Sequence, residues 1–162
     1  MDLTRRLTLA AAPLALAACA TTQGAGLGAA GRTLTESDFN AWLWRYKEAW
    51  ETKNATAAGA LFTENVIYRE QPFEEQMVGR AAVEAYWTRV TAGQRDITFT
   101  HHVIMASGGL GVAEWHAAFT AVEGGAAIEL DGVFVCHFAD LETVSLLKEW
   151  WHIKVTPRAS AG

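Results

Sequence analysis

Apolar residues recur at helical spacing near the start of the folded part of the chain: Phe39, Trp42, Leu43, Tyr46 and Trp50 fall on one face. Thr35 precedes Asp38 by three positions, a capping-box pattern that predicts where this first helix begins. A short second helix is predicted over 55–62 after the break at Asn54, then a brief strand over 66–70 and a turn around Pro72. A third helix is predicted after Gly79, running to Val90, with Val83, Tyr86, Trp87 and Val90 as its apolar stripe. Beyond Gly93 the apolar pattern turns to strand. Four strands are predicted, over 96–106, 112–122, 127–138 and 144–155, joined by Gly-rich or polar turns. Helices first and a long antiparallel meander afterwards indicate an α+β domain with helices packed on one sheet face.

Composition supports one such domain and narrows its partners. A chain of 162 residues that is 51% hydrophobic and 10% aromatic can build a packed core around a cavity. Net charge is -5 and the Lys and Arg residues are scattered, so the basic footprint of a nucleic-acid binder is missing. DNA and RNA are excluded as partners on that ground.

The first residues read as an address. Arg5-Arg6 precede the apolar run 7–18, broken only by Thr8 and Pro13, and small residues lead to Cys19. That run is shorter than the roughly 20 apolar residues a spanning helix needs, so residues 1–18 are expected to be a cleaved signal. Leu16-Ala17-Ala18-Cys19 resembles the bacterial lipobox, which implies lipidation at Cys19. Thr4-Arg5-Arg6-Leu7-Thr8-Leu9 also resembles a twin-arginine signal, with Thr8 where that pattern prefers an aromatic residue. The expectation is an exported lipoprotein of the cell envelope or periplasm, touching the membrane only through its lipid. Residues 19–34, small and Gly-rich, would be a flexible tether, and 157–162 a disordered tail. Cys136 would then be the sole free thiol of the folded domain; in the apolar run Val133-Phe134-Val135-Cys136 it suits a buried small hydrophobe better than a nucleophile.

Five short segments carry a family resemblance: Arg45-Tyr46, Pro72-Phe73, Gly79-Arg80, Tyr86-Trp87 and the closing Glu149-Trp150-Trp151-His152. In this order of elements they resemble the nuclear-transport-factor-two-like superfamily, which includes SnoaL-like polyketide cyclases, ketosteroid isomerases and scytalone dehydratase. The likeness spans about 39–155. It implies a cone-shaped fold over 35–156, with three N-terminal helices packed on a curved, mainly antiparallel sheet that encloses a pocket. In ketosteroid isomerases a helix tyrosine and a protonated aspartate hold the substrate oxygen while a carboxylate shuttles the proton. Tyr46 matches the tyrosine, but Gln71 stands at the base position and Phe134 replaces the second acid. An amide cannot take a proton from carbon, so steroid isomerisation by that route is not implied.

The same resemblance places Glu114 and His116 on cavity-facing positions of one strand, and Leu147, Glu149 and Trp151 on the pocket side of the last. His102 rather than its neighbour His101 is expected inward. Trp50, Tyr68, Gln71, Phe73, Trp87, His102, Phe134, Leu147 and Trp151 are the expected lining, while Glu70 falls on the opposite face if the strand continues to Gln71. A carboxyl facing an apolar cavity tends to hold its proton to higher pH and can work as acid or base near neutrality. Glu114 would be the proton shuttle, Glu149 or His116 its partner, and Tyr46 a donor to a substrate oxygen. The alternative is structural: Lys148, Arg45 or Arg69 could neutralise either glutamate.

Glu114 and His116 supply two metal ligands and no recognised spacing supplies more, so no metal is expected. No phosphate loop, Ser-His-Asp order or dinucleotide fingerprint is present, so no cofactor is expected either. Two functions stay open. One is cofactor-free acid-base chemistry on a small, largely apolar ligand, of isomerase, dehydratase or cyclase type. The other is a non-catalytic binding or assembly module at the membrane surface. An apolar sheet face is expected to support a homodimer in either case.

Overall fold

The computed structural model describes residues 32–158. The expected signal, Cys19 and all but the last residues of the expected tether lie outside them, as do residues 159–162.

Helix α1, Glu36–Glu51, starts at the capping box: Thr35 Oγ1 accepts from the Asp38 amide at 3.2 Å, and the Asp38 carboxylate accepts from the Thr35 amide at 3.1 Å. Its buried face carries Phe39, Trp42, Leu43, Tyr46, Ala49 and Trp50. Just before it, Leu34 is buried and its amide donates to Gly108 O at 2.9 Å, fastening the start of the domain to the far sheet edge. Helix α2, Ala55–Gly59, is capped by the Asn54 side chain and is shorter than its apolar pattern suggests, because the chain enters strand β1, Phe62–Arg69, at Phe62. A two-residue strand, β2 (Met77–Val78), pairs with β1 and has no signal in the sequence. Helix α3 follows as Arg80–Ala92.

The remaining chain forms β3 (Gln94–Ser107), β4 (Leu110–Ala121), β5 (Ala127–Phe138) and β6 (Val144–Thr156). The six strands are ordered β2-β1-β6-β5-β4-β3. All pairs are antiparallel except β1 with β6, which run parallel, so the sheet is mixed. Register shifts in β3 between Arg95 and Thr98 and between Val103 and Met105 bend it, and Asp96 takes a left-handed φ of 58° at the first.

The helices cover one face of this curved sheet. At one end the space is filled: Phe39, Trp42, Phe62 and Phe138 meet at ring separations of 5.5–5.8 Å, and Trp42 donates its indole N–H to Leu61 O at 3.1 Å. Gly111 makes that contact close, since a Cβ there would lie 2.8 Å from the Phe39 ring. Cys136 is fully buried in the same core, and burial pushes its thiol well up. The other end, under the C-terminal half of α1 and along α3, is left partly open.

Candidate active site

Strand alternation decides what reaches that opening. On β4 the inward residues are Ala113, Trp115 and Ala117; on β5 Leu130, Gly132 and Phe134; on β6 Leu147, Glu149 and Trp151. Tyr46 and Trp50 descend from α1, and Tyr86, Trp87 and Val90 from α3. Together with Tyr68, Glu70, Gln94, Phe119, Leu130, Trp151 and Ile153 they line a cavity of about 160 Å³, room for a compact ligand.

Glu149 is the polar centre of this cavity. It is 5% exposed, flanked on β5 by Phe134, and forms no ion pair among the described residues. Burial pushes its carboxyl well above the usual carboxylate range; the Tyr68 hydroxyl, which faces it, pulls the other way, and the Glu70 carboxyl pushes it up further. Tyr68 in turn shares a hydrogen bond with Tyr46, hydroxyl to hydroxyl at 3.1 Å. Both phenols are raised well above their ordinary value, first by burial and then by Glu149, so both stay protonated as donors. Tyr46, Tyr68 and Glu149 therefore make one chain of proton-carrying groups from α1 through β1 to β6.

A second carboxyl, Glu70, stands just past the end of β1. Burial raises it, the facing Tyr86 hydroxyl lowers it, Glu74 raises it and Arg89 lowers it. Gln94 completes the polar inventory; its Oε1 accepts from Trp50 Nε1 at 2.9 Å and so fixes that indole in the wall.

Six of the expected site residues meet here: Tyr46, Trp50, Tyr68, Trp87, Glu149 and Trp151. Phe134 and Leu147 are fully buried behind the wall, with the Phe134 ring 5.1 Å from that of Tyr46. The other assignments need correction. Glu114 and His116 lie on the opposite face of β4, in a shallow hollow with Thr100, His102 and Asp131, where His116 Nδ1 is 3.9 Å from Asp131 Oδ2. They do share a face, but the wrong one. A strand read one position out of phase reverses every side chain on it, and the bulges in β3 shift that phase between α1 and β4. His102 is outward for the same reason, while His101 turns in under α1 and bonds Asn40 Oδ1 through Nε2 at 2.9 Å. Gln71 is half-buried away from the cavity, and Phe73 is fully exposed, because β1 ends at Arg69 and the chain leaves the sheet.

Glu70 and Trp115 line the cavity although they are not among the residues expected there. Each had a signal. Glu70 is two positions from the inward Tyr68, and Ala113-Glu114-Trp115-His116-Ala117 alternates with its apolar members at the odd positions. Of the proposed neutralising partners, Arg45 donates instead to Glu142 O at 3.1 Å, and Arg69 to Pro72 O. No group of three or more His, Cys, Asp or Glu side chains among the described residues is arranged to hold a metal ion.

The model of one protein family, the SnoaL-like domain, matches residues 44–145. No characterised protein sequence matches the chain. Solved structures with a similar fold include SalBIII, an epoxide hydrolase/cyclase-like enzyme of pyran ring formation in the polyether salinomycin, at 17% identity and a TM-score of 0.65, covering 74% of this chain and 97% of that one. A Δ5-3-ketosteroid isomerase from Mycobacterium sp. aligns at 15% identity and a TM-score of 0.63, covering 74% and 98%. A protein of ketosteroid isomerase-like fold from Catenulispora acidiphila, solved with trimethylamine, aligns at 16% identity and a TM-score of 0.60, covering 67% and 83%.

Proposed function

The chain belongs to the SnoaL-like family, and from that premise we propose that it binds a small, largely apolar molecule in the cavity above Glu149 and moves a proton on it without a cofactor. The fold neighbours include an isomerase and a cyclase-like enzyme, and isomerisation, dehydration or cyclisation each need an acid or base facing an apolar substrate. One observation carries the reading: Glu149 is a buried carboxyl, unpaired by any cation among the described residues, raised in pKa, and linked through Tyr68 to Tyr46 at the cavity wall. Protonated, it donates to a developing oxyanion together with the tyrosines; ionised, it accepts a proton from carbon. Glu70 supplies a second carboxyl at the rim, so that acid and base roles can be divided between two groups.

A substrate-independent assay tests this. In deuterium oxide, NMR reports exchange of the α-protons of small cyclic ketones, and the protein should accelerate it. Glu149→Gln should abolish the acceleration, whereas Glu114→Gln, on the outer face, should keep it. Equal exchange by wild type and Glu149→Gln would refute the assignment. Ligand retention without any exchange by wild type would favour the non-catalytic binding module.

The proposal extends to place and assembly. The lipobox at Leu16-Ala17-Ala18-Cys19 supports an envelope lipoprotein, and exposed Ile104 and Trp150 support a homodimer. Native mass spectrometry of the protein extracted from its own envelope is the check on both.

A further inference from the structure

The cavity has an unusual charge inventory. Its lining includes two carboxyls and no Lys, Arg or His. Elsewhere in the domain acids find cations: Glu51 pairs with Lys47, Glu64 with Arg80 and Glu129 with Lys154. Glu149, more buried than any of these, has none among the described residues. Besides burial, the groups that act on it are the Tyr68 hydroxyl and the Glu70 carboxyl, and it in turn raises Tyr46, Tyr86 and Cys136; none of these can carry positive charge. Glu70 faces Tyr86, Glu74 and Arg89, and the Arg89 guanidinium lies over the Tyr86 ring, 5.6 Å from its centroid.

The walls point the same way. Four indoles, those of Trp50, Trp87, Trp115 and Trp151, line the cavity along with three phenol rings. Aromatic faces are negative, and a cation over them is attracted most strongly where water is excluded. An anion here would meet two carboxyls and no cationic side chain in the lining. A neutral molecule would leave the buried acid protonated, whereas a cation could pair with its carboxylate.

We propose that the pocket takes a small organic cation: a compact apolar molecule carrying one protonated or quaternary nitrogen, with Glu149 as its counterion and the indoles as its walls. This rests on the reading of the cavity as a small-molecule site and names the class of molecule. It also assigns a chemical consequence. The bound cation favours the carboxylate of Glu149, so the ligand itself converts that group from proton donor to base.

The test compares choline with 3,3-dimethylbutan-1-ol, its uncharged carbon analogue, by titrating the intrinsic tryptophan fluorescence of the whole protein. Choline should bind at least tenfold more tightly. Where free Glu149 is protonated, binding releases one proton, so choline affinity should rise tenfold per pH unit and level off once Glu149 ionises in the free protein. The alcohol should show no such dependence. Glu149→Gln should bring the two probes to equal affinity and flatten the choline profile. If the alcohol binds as tightly as choline, the cation class is overturned while the pocket remains a small-molecule site. If neither binds, both readings fall. A Glu149→Gln variant that keeps the choline preference, with its near-ultraviolet dichroism intact, overturns the role of Glu149.

Discussion

Replacing Glu149 by Gln should make the protein's stability less sensitive to pH. The folded-state pKa of Glu149 lies above its ordinary 4.5, chiefly through burial. Between the unfolded and folded values the native state holds a proton that the unfolded chain has released. Stability therefore falls as pH rises through that window, by about 1.4 kcal/mol per pH unit, and then levels. Other groups add their own trends. Glu70, also raised, contributes a weaker fall in the same direction because it is partly solvated. His101, lowered first by burial and then by Lys47, makes stability rise with pH up to about 6.5. Asp38 and Asp140, both lowered, lose their contribution only in acid below 3.8. Subtracting the variant from the wild type removes all four. Gln keeps the size of the side chain and a group to meet the Tyr68 hydroxyl, so what remains is the titration of one carboxyl. Urea unfolding in half-unit steps from about pH 5 to about pH 8 measures it; the stability of Glu149→Gln should gain on wild type by about 1.4 kcal/mol per unit until the folded carboxyl ionises. Parallel curves would mean that Glu149 titrates normally, and its roles as buried acid and as counterion would both fail.

Gly132 lies on β5 between Trp115 and Trp151, where a Cβ would come within 2.6 Å of Trp150 O and 2.7 Å of Trp151 Cβ. Gly132→Ala should cost about 1–3 kcal/mol in urea unfolding and move the indoles that wall the cavity, and an unchanged midpoint would contradict the crowding. Native mass spectrometry should find a dimer whose subunits begin at Cys19 and carry a diacylglyceryl mass; an unlipidated monomer would refute both assignments.

The sequence revealed most where several cues agreed. Thr35 and Asp38 cap a helix whose apolar face repeats for about three turns, from Phe39 to Trp50, and local geometry alone sets that face. Glu149 and Trp151 were legible through the family resemblance, which places both on the pocket side of the last strand, and burial of Leu147 and Glu149 agrees. Glu114 and His116 were misplaced for a different reason: their side was carried along the chain through the bulged β3, against the local alternation that turns Ala113, Trp115 and Ala117 inward. The exposed Phe73 shows a further limit. Pro72-Phe73 is a familiar pair, but β1 ends at Arg69, its last residue paired with β6, and Phe73 lies beyond the sheet.

The parallel pairing of β1 with β6 has a consequence for how the protein comes to exist. Tyr68 and Leu147 are direct neighbours in that pairing, and Glu149 follows two residues later. The strand that brings the acid is the last to be synthesised, and it inserts between β1 and β5, which have no other contact in the sheet. Until it arrives, β1 and β2 have no partner in the rest of the sheet, and the meander meets the N-terminal half mainly through α1, whose Phe39 and Tyr46 rings pack on Phe138 and Phe134. Assembly of the pocket is therefore a late, long-range event with a slow search. A chain cut short before β6 would lack Glu149 and an internal strand of the sheet together.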